Sequence, residues 1–590
     1  MRARQGLRSA YLRRAPQTVA TVATVLGLLT VVDALFAGDR HHARDIPRVL
    51  PVPASATATA VTFVAGLLLL RVAAGLRKRK RLAWRVSTAA ASAMSIAPLF
   101  RAERRILEGV ISLVLLALLV AARSRFVANC DPHSRWFAVR VVLQFTGAAF
   151  ALGIAMTYLS APTIGQPSIA SRLREVAYAM VGADGPVQFR SERFSDVMHG
   201  TLLAITLVTV TAFVLLILRS SEPVARLTEE DEQQLRVLLA KQGERDSLGY
   251  FALRDDKSVV WSPTGKSAIS YRVVLGVALA SGDPIGDPEA WPGSIAAFRE
   301  LVDSYGWTPA VIGCSELGAT VFKREYGLNA LALGDEAIVD SGSFCLEGRS
   351  MRGVRQAHNG ADRAGYTLQI RRAHEIVPEE LAELRAAAER WRGNGTERGF
   401  SMALSRLGSR ADPQCVIVTA NLGGELHGLL HFVPWGQDGL SLDLMRRDRE
   451  ADNGLNEFML AGLFAGCRSL GVRQVSLNFA VFREALERGG RIGAGPVLRA
   501  WRGVLMFLSR WWQIESLYRF NVKFRGEWEP RFLSYPAARD LPRIAVAALE
   551  AEAFLVRPHR LMRLLGRGGA ASSRIPDRYA VPRTPVGDVA

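Results

Sequence analysis

The pattern of apolar and polar residues changes once along this chain, near residue 220. Before that point, about six apolar runs approach the ~20 residues that a helix needs to cross a bilayer. They lie near 17–36, 55–76, 83–100, 106–123, 137–160 and 198–218. The pattern therefore predicts an N-terminal α-helical transmembrane bundle over residues 1–220.

Basic residues around these runs predict their orientation. The N-terminal sequence MRARQGLRSAYLRR and the run RKRKR at 77–81 are expected on the cytoplasmic side. The first run lacks a clean cleavage site and is interpreted as an anchor. An even number of spans places the rest of the chain after residue 220 in the cytoplasm, with 161–197 as a partly ordered outer loop. Three arginines at 101, 104 and 105 fall outside in this topology, so the span count around 83–123 is left open.

After residue 220 the pattern becomes that of an α/β protein, and the order of its elements occurs twice. The first copy is predicted to hold helices at 229–241 and 294–305 and strands at 249–255, 258–263, 271–280, 310–314 and 328–339. The second is predicted to hold helices at 378–391 and 455–467 and strands at 400–405, 415–420, 426–433, 440–445 and 472–477. We expect the domains 221–345 and 378–560, a basic linker at 346–377 and a disordered tail at 561–590.

The stretch 440–479 has the clearest pattern. Leu440, Leu442 and Leu444 alternate with polar residues, so they are expected on one face of a strand and Asp443 on the other. A polar loop, an apolar helix and a second strand follow. This order is typical of the donor site of GCN5-related acyltransferases, and it predicts tandem acyltransferase-like domains. Only the second copy is expected to carry an Asp at this strand end, because Gly282-Asp283 in the first is interpreted as a turn, with a lipid contact as the alternative.

The loop itself argues against coenzyme A as the donor. A pyrophosphate is normally held by backbone N–H groups of a glycine-rich loop at a helix N-terminus. The sequence READNGLNE offers one glycine, and its acids would repel a pyrophosphate. A different acyl donor is therefore expected.

Five segments resemble one family, the lysyl-phosphatidylglycerol synthases (multiple peptide resistance factor family). They are SLDLMRR, NGLNEFM, VSLNFAVFR, GGRIGAGPVLRAWR and NVKFRGEWEPRFLSY. The resemblance is greatest to the form that elsewhere carries a fused lysyl-tRNA synthetase. It implies transfer of an amino acid from aminoacyl-tRNA to a membrane-lipid hydroxyl, which makes the membrane less anionic. Expected partners are lysyl-tRNA, an anionic lipid such as phosphatidylglycerol and a separate cytosolic synthetase, with no cofactor; a homo-oligomer is left open.

The resemblance and the chemistry together assign candidate residues. Asp443, Arg446 and Lys523 match the family's catalytic positions. Asp443 can act as a base or bind the aminoacyl ammonium, and Arg446 and Lys523 can hold a phosphate. Two acids, Asp443 and Glu457, favour lysine as the donor amino acid, since one of them can take the side-chain ammonium. The substrate-binding candidates are Asn453, Glu457, Asn478, Arg525, Trp528, Arg531, Arg352 and Arg355.

Charge and composition change this picture little. Lys and Arg number 74 against 55 Asp and Glu, a net charge of +19 that suits tRNA or anionic lipid and also basic cytoplasmic loops. The five cysteines lack CxxC spacing, and His427 and His431 lie four apart on a strand, so no metal site is expected. The arginines of the linker form either a solvated helix or a phosphate-binding ridge. Alanyl transfer, a diacylglycerol acceptor, coenzyme A chemistry and a non-catalytic lipid-binding or transport protein remain alternatives.

Overall fold

The computed structural model describes residues 18–25, 28, 31, 56–96, 113, 116–123, 126, 128, 132–159, 163–218, 221–393, 395–397, 399–481 and 514–555. They form two compact units, one built mainly on residues before Ser221 and the other on nearly all described residues after it. The segment GGRIGAGPVLRAWR and the predicted disordered tail at 561–590 lie outside the described residues.

The first unit is helical. Its described helices are α1 (Ala56–Arg77), α2 (Arg81–Ile96), α3 (Pro132–Leu159), α4 (Ile169–Met180) and α5 (Glu192–Ile217). Among the described residues, two stretches are long and apolar enough to cross a membrane, Trp136–Tyr158 in α3 and Glu192–Ile217. They coincide with the fifth and sixth predicted spans, whereas α1 and α2 fall where the second and third were expected. The six-span bundle stays a prediction.

Part of the expected outer loop is a helix. Helix α4 begins after Ser168, whose side chain accepts a hydrogen bond from the Ser171 N–H and so caps the first turn. Val176 and Ala179 are buried, and so is Glu175, which accepts the Val187 N–H at 2.8 Å. The pattern missed this helix because its apolar stripe is short and interrupted by arginines.

The second unit is a mixed sheet with helices on both faces. Its described strands are β1 (Ser258–Trp261), β2 (Ser267–Val274), β3 (Val277–Ser281), β4 (Ile285–Gly286), β5 (Thr308–Cys314), β6 (Asn329–Asp340), β7 (Thr367–Arg372), β8 (Val416–Leu422), β9 (Glu425–Trp435), β10 (Gly439–Arg447), β11 (Gln474–Val481) and β12 (Glu527–Tyr535). Its described helices are α6 (Glu229–Gln242), α7 (Trp291–Tyr305), α8 (Glu316–Tyr326), α9 (Arg352–Ala364), α10 (Pro378–Arg392), α11 (Leu455–Gly466), α12 (Ile514–Val522) and α13 (Leu541–Ala551).

The strand order reveals two related halves that exchange strands. It runs β1-β2-β3-β5-β12-β6-β11-β10-β9-β8-β7, with β4 beside β2. Each half has a parallel pair, β3 with β5 and β10 with β11, joined through a helix. The last strand, β12, pairs with β5 of the first half, and β6 of the first half pairs with β11 of the second. The expected duplication is therefore present, and the two halves share one continuous sheet.

Several predicted elements are different in the structure, most of them in the first half. Gly249–Leu253 is a short 3₁₀ helix and not a strand. The single strand expected at 271–280 is a hairpin of β2 and β3, because Leu275 and Gly276 both adopt positive φ and reverse the chain. Helix α8 was not predicted, and the strand expected at 400–405 does not form.

Residues 346–377, expected to be a basic linker, instead supply a helix and a strand to the second half. Val354 and Ala361 of α9 are buried in the same core as helix α11. Strand β7 pairs antiparallel with β8 at the edge of the sheet. Arginines on the outer side of an amphipathic helix produced the linker-like composition.

Two cores cover the two faces of the second half of the sheet. The α11-side core contains Leu440 and Leu442, and the α10-side core contains Leu429 and Val433. Leu444 packs against the α10-side core, so the three leucines do not share a face as predicted. The reason is a register shift between Leu442 and Leu444, which turns the strand over at Asp443.

Candidate functional site

The site is built where β10 and β11 part. The two strands pair in parallel only from Gly439 opposite Gln474 to Ser441 opposite Ser476. Beyond that point both strands are irregular, at Asp443 in β10 and at Asn478 in β11, which has a φ of 65°. Left-handed backbone at an asparagine is uncommon, and it turns the side chain toward the gap.

Asn478 spans the opening between the two strands. Its side-chain Nδ2 donates to the Leu442 carbonyl oxygen of β10. Its Oδ1 is buried, and no hydrogen-bond partner for this oxygen is found in the described part of the chain. The amide thus holds the strand ends at a fixed separation and leaves an acceptor at the gap.

Asp443 is held by two hydrogen bonds. Its Oδ1 accepts the Leu404 N–H at 2.5 Å, and its Oδ2 lies 2.6 Å from His431 Nδ1. The side chain is only 4% exposed. Asp443 was expected at an open strand end, but the bulge directs it toward β9, where His431 neighbours it.

His431 was considered only as a metal ligand in the sequence, and its contact with Asp443 was missed. Burial by itself lowers the pKa of His431. The Cys415 sulfur and the Asp443 carboxylate more than offset that effect and raise the pKa to about 10. His431 and Asp443 therefore form a buried, hydrogen-bonded pair. No sequence signal indicates this pairing, because it depends on the register between two strands.

A cavity of about 400 Å³ opens beside this pair. Leu444 and Ser405 line the cavity. They directly follow Asp443 and Leu404, which are joined by a hydrogen bond. Arg446, a predicted catalytic residue, also lines the cavity. The other charged lining residues are Asp255, Arg385, Glu389, Arg392, Glu397 and Arg406. Both signs of charge are present, so the cavity suits a ligand that carries a phosphate or an ammonium group.

Lys523 and Glu457 form a second ion pair, beside α11. Lys523 Nζ lies 2.7 Å from Glu457 Oε1, and the lysine side chain is 46% exposed. Glu457 occupies the first turn of α11, and Asn453 is exposed in the loop before it. The structure therefore places Asp443 and Lys523 in separate ion pairs, one with a strand residue and one with a helix residue.

The remaining basic candidates lie near the start of α9. Arg525 donates to Ser350 Oγ at 3.0 Å, which brings the turn after Lys523 next to this helix. Arg352 is exposed, whereas Arg355 donates to the Leu346 and Gly348 carbonyl oxygens of the preceding loop. Trp528 is half-buried, with its ring centroid 5.8 Å from that of Tyr518. Arg352 and Arg525 are thus exposed near the start of α9.

Arg531 differs from its expected role in substrate binding. It is buried, and its guanidinium donates to Glu336, Asp246, Ser247 and the Gly313 carbonyl oxygen. Burial opposes its charge, but the carboxylates more than offset this and raise its pKa. Arg531 ties the exchanged strand β12 to the first half, which makes it a structural residue.

The first half has an acid at the equivalent position, contrary to expectation. Asp283 lies two residues past the last paired residue of β3, Ser281, as Asp443 lies two past Ser441. It accepts the Ser315 N–H at 2.8 Å and the Ser315 hydroxyl at 2.5 Å, which closes this gap. Burial, with Asp246 nearby, raises the pKa of Asp283 to about 7. The predicted turn is thus a bridge between two strand ends.

Comparisons with known proteins agree with this architecture. The family model described as "Phosphatidylglycerol lysyltransferase, C-terminal" matches residues 236–535. A lysylphosphatidylglycerol biosynthesis bifunctional protein of Rhodococcus opacus is 44% identical over 513 residues, 85% of this chain and 45% of that protein. The one from Nocardia farcinica is 42% identical over 538 residues, 89% of this chain and 46% of that protein. The chain thus spans about half the length of the curated relatives it matches.

Two solved structures are similar at lower identity. The C-terminal domain of a putative lysylphosphatidylglycerol synthetase from Agrobacterium fabrum has 24% identity and a TM-score of 0.46, covering 54% of this chain and 96% of that one. L-PGS from Bacillus licheniformis has 23% identity and a TM-score of 0.46, covering 56% and 98%. With its family model matched over more than half its length, the chain belongs to the phosphatidylglycerol lysyltransferase family.

Proposed function

We propose that this protein transfers an amino acid from aminoacyl-tRNA to the hydroxyl group of a membrane lipid, phosphatidylglycerol. The observation that carries the proposal is the gap between β10 and β11 in a chain of this family, with Asp443 at the bulge beside it and an arginine-lined cavity that begins at the next residue, Leu444. The first half has the same strands, but its acid, Asp283, bridges the gap with Ser315, whereas in the second half Asn478 makes the bridge and Asp443 does not. The second half is therefore the catalytic one.

The reaction is an exchange of one ester for another. The lipid hydroxyl oxygen bonds to the aminoacyl carbonyl carbon, and the bond from that carbon to the tRNA ribose oxygen breaks. The hydroxyl proton ends on the departing ribose oxygen. The protein must orient two large substrates and stabilise the oxyanion that forms between them.

The described residues divide these tasks. Asp443 is a carboxylate acceptor for the hydroxyl proton or for the α-ammonium group of the aminoacyl ester. Arg446 and Lys523 hold phosphates of lipid or tRNA, since guanidinium and ammonium groups bind them strongly. The Asn478 side chain, which spans the parted strands, fixes the gap where the esters meet. The cations near α9, such as Arg352 and Arg525, extend the surface for a polyanion.

Packing at the start of α11 supports a donor other than coenzyme A. Gly454 precedes this helix with a φ of 96°, and a Cβ there would lie 2.7 Å from Ala357 Cβ of α9. The N-terminus of α11, where a pyrophosphate would bind, is thus closely approached by another helix. Glu457 in the first turn adds repulsion.

We propose lysine as the transferred amino acid. The relatives from Rhodococcus opacus and Nocardia farcinica bear names that specify lysylphosphatidylglycerol. Glu457 is an acid in the first turn of α11, and it already binds one ammonium group, that of Lys523. A lysyl side chain can share or replace that contact. Alanine or another amino acid, and diacylglycerol as acceptor, are the second candidates.

The protein is proposed to act at the cytoplasmic face of a multi-pass membrane domain, where charged tRNA is available. Two observations support this location: the basic N-terminus and the apolar helices Trp136–Tyr158 and Glu192–Ile217.

Labelled aminoacyl-tRNA added to membranes that contain the protein tests the transferase. Label should enter the lipid extract, and ribonuclease pretreatment of the donor should prevent this. Lipid label that survives ribonuclease would contradict tRNA dependence. Labelling from an acyl-coenzyme A under the same conditions would instead favour a membrane-tethered acyltransferase, and no labelling from either donor would favour a non-catalytic lipid-binding or transport protein.

A further inference from the structure

The Asp443 carboxyl group has a buried partner, His431, that does not line the arginine-lined cavity. His431 is 1% exposed, and its Nδ1 lies 2.6 Å from Asp443 Oδ2. The Leu404 N–H takes the other carboxylate oxygen. Because neither side chain is open to bulk water, their mutual orientation is set by protein contacts alone.

The groups around His431 make it a donor to Asp443 rather than a base. Cys415, just before β8, interacts with the same imidazole, and burial raises the pKa of its thiol. Beyond Cys415 lie Asp412 and Tyr250, which hydrogen-bond to each other at 2.9 Å. Of these neighbouring acids, Asp443 is the one that contacts the imidazole ring. The imidazole thus lies between the thiol and the carboxylate. Because it is buried, its own atoms do not contact a substrate.

We propose that His431 is a positioning residue for the transfer reaction, and that its imidazolium fixes the Asp443 carboxylate in the orientation that the substrates require. The proposal rests on the proposed function, because Asp443 is the group that meets the substrate. A carboxylate at a β-bulge would otherwise rotate about its side-chain torsions, and the bond from the Leu404 N–H alone leaves that rotation free. An ion pair to a rigid neighbouring strand removes it.

The first half supplies a natural comparison. Asp283 occupies the equivalent position but receives both of its hydrogen bonds from Ser315, across its own gap. Asp443 instead receives its bonds from His431 and Leu404, both away from β11, and the contact across its gap is made by Asn478. The imidazole thus orients the acid without closing the site.

Two substitutions separate positioning from packing. His431→Asn retains an N–H near the Nδ1 position without a charge, and His431→Leu retains volume without a donor. We expect kcat to fall about 10-fold or more in His431→Leu and less in His431→Asn, with the KM for lysyl-tRNA nearly unchanged, because His431 does not touch substrate. His427→Asn is the matched control on the same strand, where the ring stacks edge-on against Tyr366 and should leave kcat as in the wild type.

The protonation state is measured in the wild-type chain itself, so the proposal does not depend on whether the variants fold. In ¹⁵N NMR of the histidine-labelled full chain in phosphatidylglycerol vesicles, one imidazolium signal should persist above pH 8 and disappear in His431→Asn. Ordinary titration of every histidine near pH 6.5 would overturn the proposal. So would a folded His431→Leu protein with wild-type kcat, or an equal loss in the Leu and Asn variants. A persistent imidazolium in a protein without transferase activity would reject the proposed function and leave the pairing intact.

Discussion

The Nζ atom of Lys523 lies 2.7 Å from Oε1 of Glu457, so a predicted catalytic residue and a predicted recognition residue occupy one ion pair. The lysine is nearly half exposed, and a pair of this kind adds about 0–1 kcal/mol to stability. Substitutions at either residue should therefore report on substrates and scarcely on folding.

Lys523→Ala should lower transfer by about 100-fold or more while the melting temperature stays nearly constant, because a phosphate contact is lost and little packing changes. Transfer from lysyl-tRNA and thermal unfolding of the purified chain measure the two quantities. The control is Arg324→Ala, which removes an exposed arginine that pairs with Glu325 in the first half. Activity of Lys523→Ala within a few-fold of the wild type would remove Lys523 from the site.

Glu457→Gln should weaken transfer of lysine more than transfer of alanine, because only the lysyl side chain brings a second ammonium group to the pocket. Lysyl-, alanyl- and arginyl-tRNA are compared side by side in the wild type and the variant. The wild type should prefer lysine. Equal losses of transfer for lysine and alanine, or a preference for alanine, would contradict lysine as the donor amino acid. Only the broader proposal of an aminoacyltransferase would then remain.

Asp443→Asn should abolish transfer and also lower stability. A missing acceptor or ammonium ligand reduces the rate by roughly 10²–10⁴-fold. The buried partner His431 loses its counter-charge, at a cost on the order of 3 kcal/mol. Stability falls together with activity because both members of the pair are buried.

The matched control for Asp443→Asn is Asp283→Asn, the equivalent position of the first half. Both substitutions remove a buried carboxylate after the central parallel strand. Asp283→Asn should keep kcat within a few-fold of wild type, because its carboxylate is tied to Ser315 and meets no substrate. Comparable loss of activity in both variants, at comparable unfolding midpoints, would contradict a catalytic role confined to the second half.

Arg531→Met should destabilise the chain by about 3–5 kcal/mol, because Glu336 and Asp246 remain buried without their cation. Denaturant unfolding of the variant measures this. Arg525→Ala, an exposed arginine on the same segment, should change stability by less than about 1 kcal/mol. If Arg531→Met unfolds at the wild-type midpoint but fails to bind tRNA, Arg531 contacts substrate as originally predicted.

Lys257 should give stability a measurable pH dependence. Burial, with Arg254 nearby, lowers its pKa to about 7, and its Nζ donates to the Phe251 carbonyl oxygen and to Ser281. Between pH 7 and its ordinary value of 10.5 the unfolded chain binds a proton that the folded chain does not. Stability should therefore rise with pH in this window, by at most about 1.4 kcal/mol per pH unit.

Denaturant midpoints measured from pH 7 to 10 test this dependence. Lys257→Met should remove the upward slope, and Lys266→Met, at a lysine in the exposed turn between β1 and β2, should keep it. An unchanged slope in Lys257→Met would show that Lys257 is not the group responsible.

The sequence by itself determined the elements whose pattern is local. The apolar repeat of α11, the strands on either side of it and the helix at α10 follow from periodicities of 3.6 and 2, which each segment carries within itself. The sequence also shows an acid, Asp443, in β10 and a lysine, Lys523, just before β12, because both belong to short motifs of consecutive residues.

Only the tertiary structure decided which of these residues meet. The bulge at Asp443 inserts one residue and turns every later side chain of β10 to the other face, a change that an alternating pattern cannot show. Contacts of Asp443 with His431 and of Arg531 with Asp246 and Glu336 depend on strand register and on the exchange of β6 and β12 between halves. Such pairings join residues up to 285 positions apart in the sequence. They are stabilised by the packing of whole sheet faces against helices, which no single segment of the sequence encodes.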